Sequence, residues 1–160
     1  MIKKIHVHIG EVKVAKKGEI LTTILGSCVG IGIIWRSKKI CGLAHCLLPN
    51  SPVPSFAMSG RFVDKAIPSL LALMKITNDN IVDIEAVLAG GGSMTAPNEA
   101  SGLIGSSNLQ VAIKELGKRS IRVIRTEVGG IGGCKFFLNA SDFSFYIEKI
   151  PRLERRVYGE

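Results

Sequence analysis

The sequence predicts a mixed domain of the α+β or α/β class, with a strand-rich core and two main helices. Three observations carry this. Two apolar runs rich in β-branched residues and glycine, Val29–Trp35 and Ile40–Leu48, flank a basic break at Arg36-Ser37-Lys38-Lys39. They are too short for typical helices and read as two buried strands of a hairpin. Two other stretches, starting near Ser59 and Ser107, repeat apolar residues at helical spacing. No repeat, low-complexity segment or linker divides the 160 residues, so residues 1–160 read as a single domain, long enough to bury a core.

The elements follow in chain order. Residues Ile5–Val14 alternate, with Ile5, Val7 and Ile9 on one side and His6 and His8 on the other, as in an entering strand that turns at Gly10. The two histidines share a face, but with no third ligand in the pattern they read as exposed side chains and not as a metal site. Gly18 breaks the chain, and Ile20–Leu25 resumes as a strand that leads into Gly26-Ser27-Cys28. Small residues ahead of a cysteine permit close approach of another backbone or of a substrate. Pro49, Pro52 and Pro54 exclude regular structure up to Gly60, which leaves a surface loop near the end of the strand that carries His45. The first helix takes Ser59 as its N-cap and buries Phe62, Val63, Ala66, Ile67, Leu70, Leu71 and Met74, with Pro68 kinking it. A strand at Ile84–Leu88 ends in Ala89-Gly90-Gly91-Gly92-Ser93, which lacks the lysine of a phosphate loop and reads as a tight turn. Ser107 and Gln110 form a capping box for the second helix, whose apolar face is Leu109, Ala112, Ile113 and Leu116 and which stops at Gly117. Strands follow at Ile121–Thr126, Lys135–Leu138 and Phe143–Ile150.

Composition narrows the function classes. Hydrophobic residues make up 46% and charged residues 21%, an ordinary globular balance. The charge-free stretch Ile20–Trp35 is too short to span a bilayer and Ile40–Gly60 is broken by prolines. The first residues show no apolar run ahead of a cleavage site. The expected location is the cytoplasm, without stable membrane insertion, where the four cysteines stay reduced. The net charge of +8 is spread over Lys13–Lys17, Arg36–Lys39, Lys114–Arg125 and Arg152–Arg156 and favours acidic partners. Aromatic residues are 6% and none interleave with the basic clusters, which argues against nucleic acid.

The hairpin carries the candidate chemistry. If Ile34 and Lys39 close its loop, Cys28 stands directly opposite His45, and opposed residues share a face about 4.5–5.5 Å apart. A thiol beside an imidazole is how a cysteine nucleophile is activated, and the imidazolium then supplies the leaving group's proton. Thr22, on the preceding strand, is placed to orient the ring through its hydroxyl or its carbonyl. The backbone N–H of Cys28, behind the small Ser27, is a natural oxyanion donor. On this reading Cys28 is the thiolate, Cys41 and Cys46 are hidden in their strand, and Cys134 lies exposed on a glycine-rich turn. Bland uses compete: a packed cysteine and a satisfied core histidine. A metal site at Cys41, His45 and Cys46 would need side chains that a strand points to opposite faces, and no C-x-x-C pair is present, so neither metal nor cofactor is expected.

The run TTILGSCV at 22–29, followed by GLAHCLLPNS at 42–51, resembles the chemoreceptor glutamine deamidase family, CheD. The resemblance continues through GRFVDKAI at 60–67, LAGGGSM at 88–94, IGSSN at 104–108 and Gly129-Gly130. It implies a layered α/β/β/α sandwich, similar to deamidating toxin domains, and hydrolysis of receptor glutamine side chains to glutamate and ammonia. By the same resemblance Cys28 is the nucleophile, His45 the base and Thr22 the third member, with a chemoreceptor cytoplasmic domain and a CheC-like phosphatase as partners. Two departures stand out: Ser107 where the family pattern has arginine, and Ile131-Gly132-Gly133-Cys134 where it has Asn-x-Gly-Arg. A divergent member that binds phosphatase or receptor without deamidating it is the alternative.

Overall fold

The computed structural model of the chain describes residues 2–53, 58–93 and 100–150. Nine strands are built: β1 (Lys3–His6), β2 (Val12–Lys16), β3 (Glu19–Leu25), β4 (Val29–Trp35), β5 (Ile40–Cys46), β6 (Ile84–Gly90), β7 (Arg122–Val128), β8 (Gly133–Asn139) and β9 (Phe145–Ile150). Two α-helices, α1 (Val63–Leu73) and α2 (Ala100–Lys118), accompany them. The strands form two sheets, one ordered β1-β3-β8-β9 and one ordered β2-β5-β4-β6-β7. The β1–β3 and β6–β7 pairs are parallel and the others antiparallel.

The two sheets pack face to face, and both helices lie on the far side of the five-stranded sheet. The chain is thus an α+β layered sandwich, in the order helices, sheet, sheet. Among the described residues no helix covers the outer face of the four-stranded sheet. Two cores result. Leu21, Leu25, Ile34, Leu43, Val87, Phe136 and Leu138 fill the space between the sheets. Val29, Ile31, Ile33, Ala44, Ile67, Leu70, Leu88 and Leu116 fill the space between sheet and helices. Strand β4 belongs to both, so all seven of its residues are buried and its sequence shows no alternation. Truncating Ile67 or Leu70, each fully buried, to alanine is worth about 2–5 kcal/mol of stability.

Several boundaries differ from expectation. Residues around Gly10 do not form one strand: β1 and β2 belong to different sheets, and Gly10 turns between them at φ +86°. Helix α1 starts at Val63 and not at Ser59, because its first N–H groups find the carbonyls of Leu48 (2.9 Å) and Pro49 (3.1 Å) in place of a side-chain cap. Pro68 sits inside α1, and the Ser69 hydroxyl beside it bonds back to the Lys65 carbonyl at 2.7 Å. Helix α2 begins seven residues before Ser107, so Ser107 and Gln110 are interior positions and cap nothing. Ile113 faces solvent, while Leu109, Ala112 and Leu116 pack. Pro54 of the proline loop and the basic cluster Arg152–Arg156 lie outside the described residues.

Candidate active site

The site forms where β3, β5 and the turn into β4 meet between the sheets. His45 lies on β5 with its side chain in the inter-sheet space, 4% exposed. Its Nδ1 is 2.7 Å from Thr23 Oγ1, and that hydroxyl is 2.6 Å from the Val7 carbonyl. A hydroxyl has one proton, and a carbonyl can only accept. With the Thr23 proton given to Val7, Nδ1 must carry its own hydrogen and donate it to Thr23. The basic lone pair then sits on Nε2, which is buried with no hydrogen-bond partner among the described residues. Burial holds the His45 pKa below the ordinary imidazole value; the Val7 carbonyl opposes this, and His6 and His8 add to it.

The ring is therefore held by Thr23 and not by Thr22. On β3 the inward side chains are Leu21, Thr23 and Leu25. Thr22 points the other way, and only its carbonyl is used, accepting from the Val7 N–H at 2.8 Å. The signal was present: Thr23 shares its face with two leucines at i±2, which marks it as the buried member of the pair.

Cys28 sits just ahead of β4, and here too the register is corrected. Trp35 pairs with Ile40, so Gly30 stands opposite His45. The loop is closed one residue later than expected on each strand because Lys39 takes a left-handed conformation, φ 59°, and its N–H bonds the Arg36 carbonyl at 3.0 Å. This displaces the pairing by two residues, and a two-residue displacement preserves faces. Cys28 and His45 are diagonal neighbours, both in the inter-sheet core. Diagonal pairs lie roughly 7–8 Å apart, within reach of a ring side chain. Gly30 between them adds no side chain to the gap. Cys28 is 7% exposed. Burial pushes its thiol pKa up, and its own backbone N–H, facing the sulfur, pulls the other way. Burial of both groups thus favours the uncharged thiol and imidazole over the ion pair in the resting site.

The turn that presents Cys28 is held at three consecutive carbonyls. Gly92 N–H donates to Gly26 O at 3.0 Å and Gly91 N–H to Cys28 O at 2.8 Å. Between them, the Asn108 side-chain amide donates to Ser27 O at 3.1 Å. The run after β6 is accordingly the tight turn beneath the site, with Gly90 and Gly91 at positive φ. A Cβ on Gly90 would collide with the Cys28 carbonyl, which is why glycine stands there. Asn108 was not singled out in the sequence, although it falls on the inward stripe of α2 one turn before Ala112.

The remaining cysteines differ from Cys28. Cys41 is fully buried between the sheets, and burial pushes its thiol to about 12. Cys46 points to the helices and is raised by burial as well. Cys134 is not exposed: it is 7% accessible and lines, with Gly26, Gly132 and Lys149, a cavity of about 230 Å³ beside the turn. His6 and His8 are exposed, their rings 4.4 Å apart, and His8 Nδ1 is 3.0 Å from Glu11. Among the described residues no helix is long and apolar enough to cross a membrane.

Comparison with known proteins bears on this site. A family model described as CheD chemotactic sensory transduction matches residues 47–149. A protein of Ruegeria sp. named probable chemoreceptor glutamine deamidase CheD 2 is 39% identical, over 95% of both chains. One from Bdellovibrio bacteriovorus, named probable chemoreceptor glutamine deamidase CheD, is 40% identical over 92% of this chain and 95% of its own. A Thermococcus kodakarensis protein of the same name is 35% identical over 92% and 93% of the two chains.

Proposed function

Because the chain belongs to the CheD family, we propose that it is a protein-glutamine deamidase that converts glutamine side chains of chemoreceptor cytoplasmic domains to glutamate. The observation that carries this is the buried His45, aligned by Thr23, with an unpaired Nε2 on the face that also holds the Cys28 thiol. Packing does not account for the histidine: an imidazole nitrogen without a partner is a cost of roughly 1–3 kcal/mol.

The chemistry runs in two halves. His45 Nε2 takes the Cys28 proton as sulfur attacks the glutamine amide carbon, and the Cys28 N–H receives the developing oxyanion. Collapse breaks the carbon–nitrogen bond, the imidazolium returns its proton to nitrogen, and ammonia leaves with a thioester behind. Water, deprotonated by the same Nε2, then attacks the thioester. The carboxylate is released and the thiol regains its proton. The protein acts in the cytoplasm, where receptor domains of this kind present their side chains.

The test is mass spectrometry of purified receptor cytoplasmic domains, read for amide-to-acid conversion, together with ammonia release. A folded protein inactive on several receptors would favour the binding-module alternative. The family resemblance also makes a CheC-like phosphatase the partner, to be checked by co-purification and by its effect on conversion rate.

Two further outcomes are expected. Thr23→Val removes the nearer acceptor of Nδ1–H and leaves only the Val7 carbonyl at 3.4 Å. It lowers kcat by about 10–100-fold, less than the roughly 10²–10⁴ that a positioned acid–base group supplies, because the base itself remains. Thr22→Val leaves kcat within about twofold, since its side chain points away from the ring. Equal losses in the two variants would return the role to the backbone. Separately, the +8 net charge steers docking to an acidic receptor helix bundle. Raising salt from about 50 to 500 mM slows association through screening while single-turnover chemistry holds. A salt-independent association rate would remove steering from the mechanism.

A further inference from the structure

We propose that Asn108 is a positioning residue that aims the oxyanion-binding N–H of Cys28; this rests on the assignment of Cys28 as nucleophile. A trans peptide unit is planar, with its C=O and N–H pointing in opposite directions, and the described chain contains no cis bond. Whatever fixes the Ser27 carbonyl therefore fixes the direction of the Cys28 N–H. Of the three carbonyls held in this turn, Gly26 and Cys28 are held by backbone N–H groups of the glycine run. Only Ser27 is held by a side chain, that of Asn108.

The same amide also donates to the Leu47 carbonyl at 3.0 Å, two residues past His45. One side chain thus ties the turn of the nucleophile to the strand of the base, 81 and 61 residues away in sequence. Both neighbours are carbonyl oxygens, so the amide nitrogen must face them, and Oδ1 is left buried with no partner among the described residues. Asn108 is fully buried, which limits water as a substitute donor. The placement has a local cause. One turn earlier, Gly105 lets α2 rest directly on the glycine run: a Cβ there would stand 2.5 Å from the Gly91 carbonyl oxygen and 2.6 Å from that of Gly92. The helix then sits close enough for Asn108 to reach both carbonyls.

The experiment compares two reactions of the same sulfur in Asn108→Leu and in wild type. Amide hydrolysis passes through an oxyanion, whereas alkylation of Cys28 by iodoacetamide is a displacement at carbon and forms none. In the folded variant kcat for receptor deamidation should fall about 10²-fold, the usual effect of losing one oxyanion donor. KM and the Cys28 alkylation rate, followed by peptide mass spectrometry, should stay within about threefold. Undiminished kcat overturns the proposal. So does alkylation falling in parallel with kcat, which would make Asn108 a support of the thiol or of the fold. If Asn108→Leu does not fold, Asn108→Ser removes the amide without adding bulk and is read by the same two rates. Wild-type protein that deamidates no receptor overturns the functional reading itself, whereas an active wild type with an equally active variant overturns only the role of Asn108.

Discussion

Cys28→Ala protein releases no ammonia from receptor glutamine and converts no side chain to the acid, while its far-ultraviolet circular dichroism matches wild type. The loss is complete because no other thiol stands in the same relation to a base. Cys41 shares the inter-sheet space but is fully buried in mid-strand, with its pKa pushed to about 12. Cys46 points to the opposite face of β5, among the helix contacts. Cys134, on β8 opposite Leu25, borders the neighbouring cavity and has Lys149 beside it to oppose the effect of burial. It shares no turn or hydrogen bond with His45. Cys134→Ser and Cys41→Ser therefore keep the chemistry, the latter with reduced stability from a buried hydroxyl. Removing one sulfur at a nearly buried turn position costs little in packing, so folding and activity separate cleanly. Undiminished conversion by folded Cys28→Ala protein would end the enzyme assignment.

His45→Asn is the second large loss, of about 10²–10⁴ in kcat, because an amide can still meet Thr23 but cannot accept and return a proton. Its companion measurement is the pH profile of wild-type kcat/KM. The active form carries one proton between sulfur and ring, so activity falls once His45 is protonated and again once that proton is lost. Burial moves the two limits apart: it lowers the imidazole pKa and raises the thiol pKa. The acid limb should therefore lie below the ordinary imidazole value of about 6.5, and the alkaline limb above the ordinary thiol value of about 8.5. A narrow bell centred near 7 would mean that substrate binding or an ion pair, and not burial, sets the working protonation state. Thr23→Val should shift the acid limb as well as lower its height, since Thr23 accepts the Nδ1 hydrogen.

The parts of the site legible in the sequence are those decided by local alternation and residue type. The apolar runs of β4 and β5, the glycine turn after β6 and the small residues ahead of Cys28 all announce themselves. So does the shared face of Cys28 and His45, which survives the register correction because the pairing moved by two residues. The choice of Thr22 over Thr23 failed for a different reason. It rests on the place of Thr22 on the preceding strand and on the family resemblance, whereas the alternation of β3 places Thr23 with Leu21 and Leu25 on the inward side.

What the sequence determined, then, is the chemistry available and the face on which each strand carries it, because a strand's period of two is a property of the chain itself. What only the tertiary structure decided is which groups meet. The stacking of the four-stranded sheet on the five-stranded one brings Thr23 and the Val7 carbonyl over His45. The docking of α2 on the glycine run, permitted by Gly105, brings Asn108 to the carbonyls of Ser27 and Leu47. The hairpin register was set by Lys39 in a left-handed turn. These contacts join residues tens of positions apart. Their geometry comes from the packing of whole layers, which no periodicity within one segment encodes.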